Sequence, residues 1–259
     1  MGSDHQFVLN QFYSSTSKKE DLVMSITLKE FCERPDLRKI IMDQYSASIQ
    51  AEAEDVTGAY IAGWLGSLTA AFTHLRMFHE ESMNIDLGAI EMEFYPSNHH
   101  TNYFLHFHYD IQPSESKPTF EQFFSCTITP VLKAIEEESR IRLDYLWKLV
   151  IPGIFWAEKS WVKHDIFSKL QDQIEETINE IHALPPEVFS LKKNPYLHEF
   201  VELENPWDPE GKLWRKPVCC LAYKTANHGY CYTCPRMKPA DRAEKYHQIR
   251  EQLKEKKEA

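Results

Sequence analysis

The spacing of apolar residues changes period several times along the chain. Over residues 54–79, Tyr60, Ile61, Trp64, Leu65, Leu68, Phe72, Leu75 and Phe78 recur at three- and four-residue intervals, the period of one helical face. This predicts a central core helix in which Gly63 and Gly66 leave room for close packing. Ahead of it, TLKEFCERPDLRKIIMDQYSAS reads as two short helices, broken at Pro35, with Asp36 starting the second. After it the period becomes two: DLGAIEMEFY and NYFLHFHYDIQ alternate in polarity, are rich in aromatics and flank the turn-forming PSNHHT. These stretches predict an antiparallel hairpin. Three more helical stretches follow: residues 119–139, kinked at Pro130; residues 141–161, interrupted at Pro152 and Gly153; and residues 165–184, ended by two prolines. The expected fold class is α+β, mainly helical, with a small antiparallel sheet and an irregular C-terminal segment.

Beyond Pro185 the periodicity stops. Prolines at 195, 206, 209, 217, 235 and 239 mark a long irregular connection that holds one short strand candidate, HEFVELE, before a final helix, DRAEKYHQIREQLKEKKEA. An irregular stretch of this length in a compact protein is usually functional or disordered. This one carries four of the six cysteines, within CCLAYKTANHGYCYTC, which favours function. The expected organisation is a helical α+β region over residues 1–189 and a cysteine-bearing segment with its terminal helix over residues 190–259.

At 259 residues the chain lies near the limit of one hydrophobic core. A net charge of −10 disfavours bulk attraction to nucleic acid. The N-terminus lacks the basic start and apolar run of a signal peptide, and no uncharged apolar stretch approaches a membrane span, so a cytoplasmic location is expected. A reducing compartment disfavours stable disulfides and turns clustered thiols toward metal or redox roles. Cys32 and Cys126 stand alone and read as inert thiols. Charge is uneven: residues 190–259 carry a net +4, against −14 for residues 1–189. The terminal helix accounts for part of this excess, but Lys212, Arg215, Lys216, Arg236 and Lys238 flank the cysteines.

Other candidates give way to simpler readings. His106 and His108 share one face of a strand, with Asp110 next in line, a spacing able to chelate a metal; the polar face of a half-buried strand explains it as well. His99 and His100 fall in the turn, and Glu136–Glu138 reads as a solvated helix face. Glycine-rich nucleotide loops, the GxSxG elbow and the HExxH zinc motif are absent.

The four clustered cysteines follow the pattern C-C-x10-C-x2-C. Cys231 and Cys234 make an ordinary metal knuckle, whereas the side chains of Cys219 and Cys220 point to opposite faces if the backbone is extended. A mononuclear zinc site normally draws on two C-x2-4-C knuckles, which the vicinal pair fits poorly. A two-iron cluster is a wider target, with two thiolates for each metal, and spacing does not decide which thiolate serves which iron. A zinc-clipped binding or scaffold protein, and a dithiol relay using Cys231 and Cys234, remain as alternatives; the relay lacks the βαβ pattern that usually surrounds it.

The stretch CCLAYKTANHGYCYTCPR resembles the C-terminal signature of the FhuF-type ferric-siderophore reductases in its spacing and its place near the C-terminus. The resemblance implies that Cys219, Cys220, Cys231 and Cys234 hold one [2Fe-2S] cluster, which passes one electron to Fe(III) in a siderophore, of hydroxamate or citrate-hydroxamate type, and releases Fe(II). It implies a cytoplasmic oxidoreductase, with the inner face of the membrane near an uptake transporter as a further location. No flavin or nicotinamide motif is present, so an external donor such as a ferredoxin or a flavin reductase is expected. Lys212, Arg215, Lys216, Arg236 and Lys238 then read as a basic rim for an anionic chelate. Trp207, Trp214, Tyr223, Tyr230 and Tyr232 read as shielding for the cluster, ahead of siderophore contact and beside ordinary packing, and His228 or a backbone amide as a group that couples a proton to electron gain.

Overall fold

The computed structural model describes residues 9–17, 20–97, 103–113, 117–163, 170–226 and 228–258. At its centre lies helix α3, Glu54–Phe78, which follows the short helices α1, Leu28–Glu33, and α2, Pro35–Ser48. The Pro35 break arises as the sequence predicts, because the proline has no N–H to continue α1 and its fixed φ suits the first turn of α2. The start of α1 is fixed by a capping box: Thr27 Oγ1 accepts from the Glu30 N–H, and Glu30 Oε2 accepts from the Thr27 N–H, both at 3.1 Å. Helix α3 is buried on most of its circumference, since Val56, Ile61, Leu65, Leu68 and Phe72 are joined by buried Gly58, Gly66, Thr69 and Thr73.

Around α3 pack α5, Thr129–Ser139, α6, Leu143–Val150, and α7, Pro152–Lys163, with α8, Gln171–His182, at its far end. The kink expected at Pro130 takes the form of a π-helical turn, Phe124–Ile128, between α4, Phe120–Phe123, and α5. A wider turn just before the proline relieves the clash of its ring with the preceding turn. Residues 164–169, the start expected for the third helical stretch, lie outside the described residues.

The predicted hairpin is present as β4, Ile90–Pro96, and β5, Tyr103–Tyr109, paired antiparallel with Glu93 opposite His106 and Glu91 opposite His108. Its turn, with His99 and His100, lies outside the described residues. With β1, Ser14–Ser15, and β2, Met24–Thr27, the hairpin forms a four-stranded sheet of order β1-β5-β4-β2, and β3, Glu81–Met83, pairs antiparallel with β6, Ile111–Pro113, in a second sheet. The sheet is mixed, because β1 runs parallel to β5; a two-residue strand is too short to show a period in the sequence. One face, with Met92, Phe94, Leu105 and Phe107, joins the hydrophobic core.

On the other face His106 is fully buried beside Glu93, with Nδ1 and Oε2 3.5 Å apart, and Tyr95 donates to the same oxygen at 2.8 Å. Burial opposes charge on Glu93, but the hydrogen bonds from His106 and Tyr95 outweigh it and hold the carboxyl below its ordinary value. His106 is therefore part of a buried acid-histidine pair, while His108 is half-buried, as on the polar face of a half-buried strand. Among the described residues no three His, Cys, Asp or Glu side chains gather to hold a single metal ion.

Within Glu136–Glu138, Glu137 is exposed, as a solvated face requires, while Glu136 and Glu138 are half-buried, and all three acids have partners. Glu137 and Glu138 take the guanidinium of buried Arg38 on α2, at 3.1 and 3.4 Å, and Glu136 accepts from the Leu143 N–H at the start of α6, at 2.8 Å. A buried cation needs paired anions, and Glu137 and Glu138 supply them.

The glycines of α3 divide by role. A Cβ on Gly66 would lie 2.7 Å from the Val150 carbonyl oxygen, and one on Gly153 would lie 2.0 Å from the Gly66 oxygen, so α3 and α7 cross backbone to backbone. Gly63, in contrast, faces open space. The close packing expected at Gly63 is instead made at Gly58, against Ser139. No helix among the described residues is long and apolar enough to cross a membrane.

Candidate metal centre

The C-terminal segment is fastened to the helical body around its cysteines. Two strands, β7, Glu202–Glu204, and β8, Lys212–Trp214, pair antiparallel, confirming part of the HEFVELE expectation. Ala51 bridges Thr225, the Glu52 N–H donates to the Lys224 carbonyl at 2.9 Å, and Lys224 Nζ meets Asp55 at 2.6 Å. Cys219, Leu221, Cys234 and Met237 belong to the main hydrophobic core.

The vicinal cysteines are followed by Leu221 in the left-handed conformation, φ 60° and ψ 10°. For a leucine this costs on the order of 1 kcal/mol. The turn is held by the buried Leu221 side chain and by bonds from Lys224 N–H to the Leu221 carbonyl and from Thr225 N–H to the Ala222 carbonyl, at 2.8 and 3.0 Å. It sets successive amides to act on successive sulfurs: the Leu221 amide favours the thiolate of Cys219 and the Ala222 amide that of Cys220. Amide donors of this kind stabilise negative charge on thiolates.

On the other side, Cys231 and Cys234 close a knuckle in which the Cys234 N–H donates to the Cys231 carbonyl at 2.9 Å. The two halves meet as pairs. Cys234 Sγ lies 3.6 Å from Cys219 Sγ, and Cys231 is the group that acts most strongly on Cys220. Adjacent side chains that point apart thus each find a different partner in the knuckle. This arrangement offers two thiols to each of two metal atoms, whereas no three of the sulfurs gather around one point as a single zinc ion would need.

The surroundings act unequally on Cys219, Cys220 and Cys231. The hydrogen bond with Cys231 and the nearby Lys216 ammonium lower Cys220 to about 4. Burial, with the hydrogen bond to Cys234, raises Cys219 to about 11, and the Cys220 bond and burial also raise Cys231. Lys216 Nζ donates to Cys220 Sγ at 3.4 Å. Burial works against its charge, but Cys220 and Cys231 outweigh it and hold the ammonium above its ordinary value. In the metal-free protein at pH 6, iodoacetamide is therefore expected to label Cys220 well before Cys219 or Cys231, since the thiolate is the reactive form. Peptide mass mapping of a time course checks this; equal labelling of the three would show that the asymmetry is absent.

Of the predicted basic rim, Lys216 and Arg236 come close to the thiols. Arg236 is exposed, its guanidinium donates to Tyr223 Oη at 2.6 Å, and Cys219 is among the charges acting on it. Lys212 is in β8 opposite Glu204, Arg215 acts on His198, and Lys238 is exposed before the terminal helix α9, Pro239–Glu258. Tyr232 is buried with exposed Trp207 against its edge, and Tyr223 packs on Tyr230. Trp214 stacks on Phe200 beneath Lys159. His228 is exposed, with Nδ1 2.7 Å from the Gly229 carbonyl oxygen.

Three supports come from parts of the chain that carry no cysteine. Tyr145 on α6 donates to the Cys219 carbonyl at 2.6 Å. Arg242 on α9 binds the carbonyls of Tyr232, Cys234 and Met237, at 3.0, 2.7 and 3.3 Å. Tyr60 on α3 feels the charge of Cys220 and Cys231. Spacing signals none of these roles, because each depends on distant segments meeting. No curated protein matches the chain. Residues 218–236, which include all four clustered cysteines, match the family model described as the FhuF 2Fe-2S C-terminal domain, and the cofactor of this segment is a [2Fe-2S] cluster.

Proposed function

We propose that the protein is a ferric-siderophore reductase in which Cys219, Cys220, Cys231 and Cys234 hold the cluster, and in which residues 1–189 shape the seat of the ferric chelate while residues 190–259 carry the electron-transfer centre. The observation that carries this reading is the pairing of the thiols, Cys219 with Cys234 and Cys220 with Cys231, inside the matched segment. When bound, the cluster supplies one electron at low potential. Siderophores hold Fe(III) through hard oxygen donors, hydroxamate or citrate-hydroxamate in the chemistry proposed for this protein, and Fe(II) suits those donors poorly. A single electron therefore loosens the substrate iron. The chain's own part is to bring the four thiols together in pairs, to favour the Cys220 thiolate through the Ala222 amide and Lys216, and to let the chelate come near. The electron comes from an external donor of ferredoxin or flavin-reductase type, on the cytoplasmic side, where such donors are found.

Lys216 places positive charge against Cys220, which favours the more negative, reduced state. Lys216→Gln is expected to lower the cluster potential by on the order of 50 mV, from a charge a few ångström away in a partly buried setting. A spectroelectrochemical titration reads this directly, and an unchanged or higher potential would remove the role assigned to Lys216. The reductase reading itself is tested by supplying the purified protein with a chemical reductant and a ferric hydroxamate, with an Fe(II)-specific chromogenic chelator present. Protein-dependent growth of the Fe(II) colour supports it, and colour no faster than without protein counts against it.

A further inference from the structure

An open cleft of about 430 Å³ runs between α3, the α6–α7 junction and the residues just before the vicinal cysteines. Its wall includes Gly63, Lys148, Trp156, Lys216 and, of the four clustered cysteines, Cys220. The volume lies in the usual range of small-molecule sites, roughly 300–1,000 Å³. A larger cavity, about 1090 Å³, lies between α6 and residues 182–198, but no cysteine lines it. Electron transfer weakens steeply with distance, so the smaller cleft is the one suited to a reducible ligand.

Three properties of this wall point to a metal chelate. Its charged residues are two lysines, with no aspartate or glutamate, on a chain with a net charge of −10. Its apolar part, with Phe12, Leu149 and Val218, suits the carbon backbone of a chelator, and Trp156 stands 51% exposed at the cleft. Finally, Gly63 is exposed and nothing lies within 4 Å of where its Cβ would be. Helix α3 thus has its missing side chain at the cleft, at a position where its packing does not require a glycine.

We infer that this cleft, resting on the reductase reading above, is where the ferric chelate docks, with Cys220 as the thiol on its wall and with Lys148 and Lys216 favouring neutral or anionic chelates over cationic ones. The lysines are recognition groups for the outer oxygens of the chelate, and Gly63 leaves room for it.

Gallium(III) replaces iron in such complexes without being reduced, so binding can be measured apart from electron transfer. The probe is the gallium(III) complex of a citrate-dihydroxamate chelator, which is anionic, titrated calorimetrically into the cluster-loaded protein. Gly63→Leu is expected to weaken binding at least roughly tenfold, since the added side chain occupies chelate space, while the visible spectrum and potential of the cluster stay as in the parent. Lys148→Glu is expected to weaken it by a similar factor, less at high salt, and the gallium complex of an amine-bearing linear trihydroxamate, which is cationic, should bind more weakly to the parent. Parent-like affinity in Gly63→Leu, or no binding of the anionic probe to the parent, overturns the cleft as the site. If the probe binds the parent and Gly63→Leu blocks it, yet no ferric chelate oxidises the reduced protein, the site stands and the reductase reading fails.

Discussion

Cys220→Ser is expected to yield a folded, helical protein that no longer retains its cluster. A serine hydroxyl does not ionise near neutral pH, so the position loses the thiolate stabilised by the Ala222 amide and by Lys216. Cys231 is then left without the thiol that acts on it most strongly. Iron and sulfide per chain should fall from near two each to a small remainder, with loss of the visible absorption, while far-UV circular dichroism stays that of the parent. Cys219→Ser should do the same and also lower stability modestly, because Cys219 is buried in the core. Cys126→Ser is the control, since Cys126 is exposed and lies away from the cluster segment. Full iron and sulfide in Cys220→Ser would show that the vicinal pair is not a ligand pair.

Gly153→Ala is expected to be the most damaging single-methyl change in the helical body. The new Cβ would lie 2.0 Å from the carbonyl oxygen of Gly66, a backbone atom that cannot swing aside. Helix α7 would have to move off α3, at a cost of about 3 kcal/mol. For a chain of this size that corresponds to a fall of roughly 10 °C in Tm. Gly63→Ala is its matched opposite: a glycine of the facing helix α3, set in open space, with a gain of up to about 1 kcal/mol from helix propensity. Thermal unfolding of both variants separates packing from propensity. Equal melting temperatures would mean that the α3–α7 crossing is not tight.

Much of the architecture was legible in the sequence because it is written in short-range periods. The core helix, the Pro35 break and the β4–β5 hairpin each rest on residues a few positions apart, and each stands where the pattern put it. The cysteine cluster was legible for the same reason, as its spacing is local. What spacing could not show is long-range. The pairing of Cys220 with Cys231 depends on the left-handed turn at Leu221, which no glycine announces. Tyr145 and Arg242 act on backbone carbonyls of segments that only the fold brings near. Glu136–Glu138 looked solvated because its partner Arg38 is distant in sequence. Gly63 and Gly66 looked alike by period, and only their surroundings assign one to packing and the other to an open cleft.

The most direct test is a single turnover. The cluster-loaded protein is reduced anaerobically by one electron, freed of excess reductant and mixed in a stopped-flow instrument with a ferric citrate-hydroxamate. The predicted result is reoxidation of the cluster at a rate that rises with chelate concentration, with one Fe(II) trapped per cluster oxidised. A cluster that stays reduced in the presence of every ferric siderophore offered, while ferricyanide oxidises it at once, would contradict the reductase function and leave only the iron-sulfur centre.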